Sequence, residues 1–217
     1  MIEIDLFSDV VCPWCFIGKR RLERALAARP EQEVQIQWRA FQLNPDLPRE
    51  GIPRQHYVEA KFGGPERAKQ IYSNIRNAGE SEGLDFQFDK IVRQPNTVTA
   101  HRAIYWAGNQ NQADPLVEAL FIAYFYNGRD IGSPEVLAEI ASESGLDGDA
   151  LKDYLATEDG LREVAAESRF AYENGITGVP CFIFNRKYAV AGAQEPEAFF
   201  PLFDIDEEDN PAVGVAD

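Results

Sequence analysis

The cysteine pair in Cys12-Pro13-Trp14-Cys15 is the constellation in this chain best suited to do chemistry. A CxxC pair serves either thiol–disulfide exchange or half of a zinc site. Exchange needs a thiolate, and a cysteine at a helix N-terminus holds its charge against the positive end of the dipole and free backbone N–H groups. On this reading Cys12 is the attacking nucleophile and Cys15, on the first turn behind it, is the resolving thiol. A mixed disulfide on Cys12 would then give way to an internal Cys12–Cys15 disulfide. Pro13 and Trp14 offer few polar donors, and Trp14 sets an apolar surface beside the reactive sulfur. A tetrahedral zinc site needs two more ligands, yet the rest of the pool is Cys181, His56 and His101, dispersed along the chain. Exchange is therefore preferred, with no metal and no bound cofactor expected.

A second signal lies far along the chain, where Val179-Pro180 immediately precedes the strand-like Cys181-Phe182-Ile183-Phe184. Cis peptide bonds are essentially confined to proline. A cis bond here would present the backbone of Val179 to an extended substrate. An ordinary trans proline opening a strand is the other reading, and the residues alone leave both open.

The elements that must position these groups follow from patterning. Residues 2–7 alternate apolar and acidic in the period of a strand. Cys12 then stands at an N-cap position, Pro13 at the first helical position, and Phe16, Ile17, Leu22 and Leu26 form an apolar stripe that should stop near Arg29-Pro30. Val34, Ile36 and Trp38 alternate as a second strand, running into Phe41 and the loop Asn44-Pro45-Asp46-Leu47-Pro48. Strand, helix, strand predicts parallel pairing through a right-handed crossover, with CxxC at the carboxyl end of the first strand. From about Pro53 to Asn174 the pattern is helical. Helices are predicted from Pro65 to before Gly83, from Ser133-Pro134 to Gly145, and over 161–172 with Asn174-Gly175 as C-cap. Residues 116–126 are apolar almost all round, which marks a central helix. Strands at 181–184 and 188–191, a turn at 185–187 and a last helix over 196–203 complete the chain. Arg102 and Lys19 read as surface charges. The pattern is α/β: one domain built from both ends of the chain, with a helical subdomain inserted in its middle.

Composition narrows the function classes. With 217 residues and 45% hydrophobic content the chain can bury a sizeable core. Its 36 acidic against 21 basic residues, net −15, disfavour a nucleic-acid surface. No apolar run approaches a membrane span. The opening Met1-Ile2-Glu3-Ile4-Asp5 carries acids where a secretory signal carries basic residues, so a cytoplasmic protein is expected. Three cysteines make no structural disulfide framework. The run from Asp204 to Asp209, followed by Pro211 and Gly214, reads as a solvated acidic tail.

The residues resemble the DsbA-like branch of the thioredoxin superfamily, and most closely its FrnE-like members, described as dithiol-disulfide isomerases. The matching segments are Phe7-Ser8-Asp9 with Cys12-Pro13-Trp14-Cys15, Phe41-Gln42-Leu43-Asn44-Pro45, Asn96-Thr97 with Ala100-His101-Arg102, Gly178-Val179-Pro180, and Gly192-Ala193-Gln194. The resemblance implies a thioredoxin-like fold with an inserted α-helical domain: residues 1–50 and 175–205 form the discontinuous thioredoxin-like domain, 51–174 the helical insertion and return helix, and 206–217 the tail. It implies a cis Pro180 facing the dithiol, with Pro13, Trp14, Val179 and Pro180 meeting the substrate and Gln42 and Asn96 lining the same cleft. His101 reads as a packed residue, or as an aid to proton transfer beside Cys12. Cys181 departs from the usual pattern; it is a buried small residue or a third thiol partner.

The implied activity is thiol–disulfide oxidoreductase or isomerase, acting on protein or small-molecule thiols and disulfides, as a monomer or homodimer. Kappa-class glutathione transferases and hydroxychromene-carboxylate isomerases look similar but usually carry serine at the Cys12 position. A glutathione-dependent transferase or isomerase, with glutathione as co-substrate, is therefore the alternative. A redox-responsive chaperone is a third reading.

Overall fold

The computed structural model describes residues 1–205, so the tail expected over 206–217 lies outside the described residues. The chain begins with β1 (Ile2–Ser8), whose Ile2, Ile4 and Leu6 are buried while Glu3 and Asp5 are half-buried. A tight turn leads to α1 (Pro13–Ala27), with Pro13 in its first turn and Cys12 as N-cap in extended backbone. β2 (Val34–Ala40) pairs parallel with β1 from Ile2↔Val34 to Ser8↔Ala40. A parallel pair needs a crossover, and α1 supplies it.

The chain then leaves the sheet. β3 (Ile52–Pro53) pairs antiparallel with β4 (Arg93–Gln94) and brackets α2 (Arg54–Phe62) and α3 (Pro65–Glu80). This two-residue ribbon is too short to leave a period in the sequence. α4 (Val98–Gly108), α5 (Ala113–Phe125), α6 (Pro134–Glu143), α7 (Gly148–Ala156) and α8 (Leu161–Glu173) follow. The apolar stretch expected to be central is α5, which buries Leu116, Val117, Leu120, Phe121, Tyr124 and Phe125. The chain returns through β5 (Cys181–Phe184) and β6 (Tyr188–Ala191), giving the strand order β2-β1-β5-β6 with β5 antiparallel to both neighbours. The predicted last helix divides into a 3-10 turn, Pro196–Ala198, and α9 (Phe200–Phe203).

Alternation along the strands sends side chains to two faces. Ile4, Leu6, Phe182 and Phe184 pack with Leu22 and Ala25 of α1 and with Phe199 and Phe203. Phe7 and Cys181 pack on the other side with Phe41, Ala171 of α8 and Ile176. The inserted helices join α1 directly: the Phe16 ring stacks on Phe121 of α5, centroids 4.7 Å apart, within a cluster that also contains Cys12 and Cys15. The result is a mixed α/β thioredoxin-like fold with a helical insertion.

Two expectations are corrected. Lys19 is buried, its ammonium held among Glu23, Asp114 at 3.4 Å and Glu118 at 3.1 Å, a network joining α1 to α5. Arg102 is also buried and donates to the carbonyls of Tyr154, Leu155, Thr157 and Asp159, tying off the C-terminal end of α7. Charge alone suggested solvent; the partners that permit burial come from distant helices. Among the described residues no helix is long and apolar enough to cross a membrane.

Candidate active site

The turn between β1 and α1 places both thiols. The Cys12 N–H donates to the Asp9 carbonyl at 2.9 Å, and the Cys15 N–H donates to the Cys12 carbonyl at 3.0 Å. Both cysteines are buried, Cys12 at 5% and Cys15 at 1% exposure, so Cys12 is the outer of the two. Trp14, between them in sequence, is 39% exposed. The Cys12 thiol donates to the carbonyl oxygen of Val179 at 3.6 Å. The Val179-Pro180 peptide is cis, in line with the resemblance.

Burial pushes the Cys15 thiol well above the ordinary range; the neighbouring Cys12 adds to this, and contacts with the Ser8 hydroxyl and the Asp9 backbone offset part of it. The inner thiol is thus held protonated in the resting state.

One turn further along α1, Gly18 lets the helix meet the Pro180 ring. A Cβ there would lie 2.8 Å from Pro180 Cγ and 3.2 Å from Phe182 Cζ, closer than carbon atoms pack. No signal short of the structure marks Gly18, because a lone glycine within a helical pattern usually reads as a mild defect.

Beneath the turn lies Asp9, which is fully buried. Its Oδ2 accepts from the Leu43 N–H at 2.8 Å, and its Oδ1 lies 3.5 Å from Nε2 of His101. That imidazole is buried as well, with Nε2 3.2 Å from the Phe41 carbonyl. Among the described residues, His101 is linked to the Cys12 turn through Asp9 and to the loop after β2 through the Phe41 carbonyl. Gln42 and Asn96 come together in the same region: Gln42 Nε2 donates to Asn96 Oδ1 at 3.1 Å, and Asn96 Nδ2 donates to the Leu47 carbonyl at 2.7 Å. Pro13 and Val179 are half-buried, and Pro180 is buried.

Cys181 pairs with Phe7 across the β1–β5 ladder and faces the α8 side of the sheet, whereas its neighbour Phe182 faces α1. The sheet therefore lies between the Cys181 side chain and the helix that carries the dithiol. Burial raises its thiol above the ordinary value.

Comparison with known proteins adds to this geometry. A DSBA-like thioredoxin domain model matches residues 3–201. The chain belongs to the DSBA-like thioredoxin domain family. Within this family, a probable DsbA oxidoreductase from Streptomyces coelicolor is similar in structure, with a TM-score of 0.84, 32% identity and coverage of 94% of this chain and 88% of that one. The uncharacterized protein YwbO of Bacillus subtilis (strain 168) is 28% identical over 200 residues, covering 91% of this chain and 94% of its own. The cytosolic disulfide reductase DsbM from Pseudomonas aeruginosa, solved with GSH, shares the fold at a TM-score of 0.63 and 19% identity, covering 87% of this chain and 89% of that chain.

In this DSBA-like protein α2 carries two further groups beside the β3–β4 ribbon. Tyr57 of α2 is half-buried, and burial raises its phenol pKa above the ordinary value. The Arg54 guanidinium lies over the Tyr57 ring at 5.0 Å. Sequence reasoning passed over both, since an arginine and a tyrosine early in an ordinary helix carry no motif.

Proposed function

We propose that this DSBA-like protein is a thiol–disulfide oxidoreductase and isomerase of the FrnE-like type, working through Cys12 and Cys15. The carrying observation is the Cys12 thiol at the N-cap of α1, aimed at the Val179 carbonyl, with the protonated Cys15 buried behind it.

The Cys12 thiolate attacks one sulfur of a substrate disulfide; a Cys12–substrate bond forms, the substrate S–S bond breaks, and the departing thiolate takes up a proton. Cys15 then loses its proton and attacks Cys12 Sγ, releasing the second substrate thiol and leaving Cys12 and Cys15 oxidised to a disulfide. Net oxidation of substrates runs the same steps in reverse, and isomerisation uses the first step followed by attack from another substrate thiol. Val179 and Pro180 form the opposite wall of the cleft, where Pro13 and Trp14 also meet the substrate. Cys181 serves packing rather than exchange, and His101 with Asp9 positions the loop after β2. Three cysteines and the fold shared with a cytosolic reductase support a cytoplasmic setting.

Insulin reduction and refolding of scrambled ribonuclease test the reading. Cys12→Ser should abolish both, and Cys15→Ser should abolish insulin reduction. Full glutathione conjugation by Cys15→Ser without any disulfide turnover in the unaltered protein would refute it in favour of a glutathione transferase.

A further inference from the structure

Arg54 differs from the other half-buried or buried cations of this acidic protein. Arg39 has Asp5 and Glu167, Arg21 has Glu82, and Lys19 has a carboxylate trio. Arg102 is closed off by four carbonyls. Arg54 is half-buried, yet among the described residues it meets only neutral acceptors: Gln94 Oε1, the Tyr72 hydroxyl and, at 3.5 Å, the Tyr124 hydroxyl. Its guanidinium is framed by two half-buried rings, 5.0 Å over Tyr57 and 5.5 Å over Tyr72. Gln94 and Tyr124, each 1% exposed, form the floor. A cation withdrawn from water in this way recovers its lost hydration best from an anion. The surroundings agree, because Arg54 opens α2, whose first turn holds no acid and whose N-cap, Pro53, offers no side-chain acceptor.

The position is tied to the dithiol. Asp9, whose carbonyl receives the Cys12 N–H, anchors Leu43 through its carboxylate. The same loop is held by Asn96, which bonds to Gln42 and to the Leu47 carbonyl and lies two residues after Gln94, an acceptor of the Arg54 guanidinium. Arg54 and the loop after β2 thus lean on the same 94–96 segment, and Tyr124 beneath Arg54 packs in the apolar cluster that contains Cys12.

We propose that Arg54, framed by Tyr57 and Tyr72, is a subsite for a carboxylate of a small acidic thiol or disulfide whose sulfur reacts at Cys12. The guanidinium fork pairs with the carboxylate in two parallel hydrogen bonds. A half-buried guanidinium framed by two rings suits a short flexible molecule, whereas an acidic side chain on a folded protein is held back by its own backbone. This deepens the exchange reading given above and rests on it.

The test is the rate at which the reduced protein is oxidised by glutathione disulfide, which carries carboxylates, and by bis(2-hydroxyethyl) disulfide, which carries none. Arg54→Gln should slow the first about tenfold or more, the worth of one charge-assisted pair, and leave the second within about twofold; Arg54→Lys should recover most of the loss. Equal slowing with both disulfides, or no slowing with either, overturns the subsite. So does a loss confined to peptide disulfides bearing acidic residues, with glutathione disulfide unaffected. A second measurement needs no variant: S-methylglutathione should protect Cys12 of the unaltered protein from iodoacetamide, and its dimethyl ester should not. Equal protection by the two, or none, also counts against the proposal. If the unaltered protein reacts with neither disulfide, the exchange reading itself fails, and the hydroxyethyl arm makes that failure visible separately.

Discussion

The Cys12 thiol donates to the Val179 carbonyl across a gap of 3.6 Å, so the first cysteine of the pair already occupies a backbone acceptor on the opposite wall of its cleft. Under the proposed exchange mechanism, a substrate disulfide entering this gap would replace that contact with its own sulfur and backbone. The inner cysteine has no such access. In Cys15→Ser, therefore, a disulfide substrate should accumulate as a stable adduct on Cys12, seen by intact mass. Cys12→Ser should form none, and Cys181→Ala should trap and turn over as the unaltered protein does. An adduct on Cys181 in Cys12→Ser would refute this division of labour.

Burial of Cys15 has a signature in pH. Its folded-state pKa is raised, so the thiol stays neutral in the native protein after the unfolded chain begins to ionise near ~8.5. Stability from this group is complete below that value and is lost as pH rises from there toward the folded pKa, at roughly 1.4 kcal/mol per pH unit. Cys181, raised by burial alone, adds in the same direction. Under reducing conditions the urea midpoint should fall between pH 8 and pH 10, and less steeply in Cys15→Ala. A midpoint that rises over this interval would contradict the assignment.

Gly18→Ala tests the contact between α1 and Pro180. The added methyl must displace a proline ring on one side and Phe182 on the other. Overpacking of this kind costs about 1–3 kcal/mol, and because Pro180 carries the wall facing Cys12, exchange should slow as well. Denaturant midpoints and insulin reduction measure the two effects; a variant as stable and active as the parent would show that the helix moves aside freely.

Arg102→Met keeps much of the side-chain volume and removes the donors to four carbonyls at the end of α7. Carbonyls left buried without donors cost about 1–3 kcal/mol each at full desolvation, less wherever water reaches them. The expected result is a loss of several kcal/mol in chemical denaturation, with exchange by the remaining folded protein unchanged. Lowered turnover at full stability would instead make Arg102 part of the site.

The strand-helix-strand opening and the main helices could be read from the chain because each rests on local patterning: alternation over Ile2–Ser8, Pro13 after Cys12, Ser133-Pro134 as a start signal. The dithiol was legible for the same reason. The β3–β4 ribbon was not, since two residues carry no period. The burial of Lys19 and Arg102 was not either, because it depends on carboxylates and carbonyls contributed by other helices. Asp9 stood in plain view three positions before Cys12, but its meaning comes from Leu43 and His101, which the fold alone brings to it.

The site joins the two ends of a long excursion. Cys12 and Val179 are 167 positions apart, and β5, which follows Val179, pairs directly with β1. At translation speeds of about 5–20 residues per second, the dithiol turn leaves the ribosome roughly 10–30 s before the strand that completes it. During that interval the nascent chain bears two thiols without their opposite wall, and it is most open to capture by glutathione or by other nascent cysteines. Newly made protein should consequently carry a larger share of mixed disulfides than the mature pool.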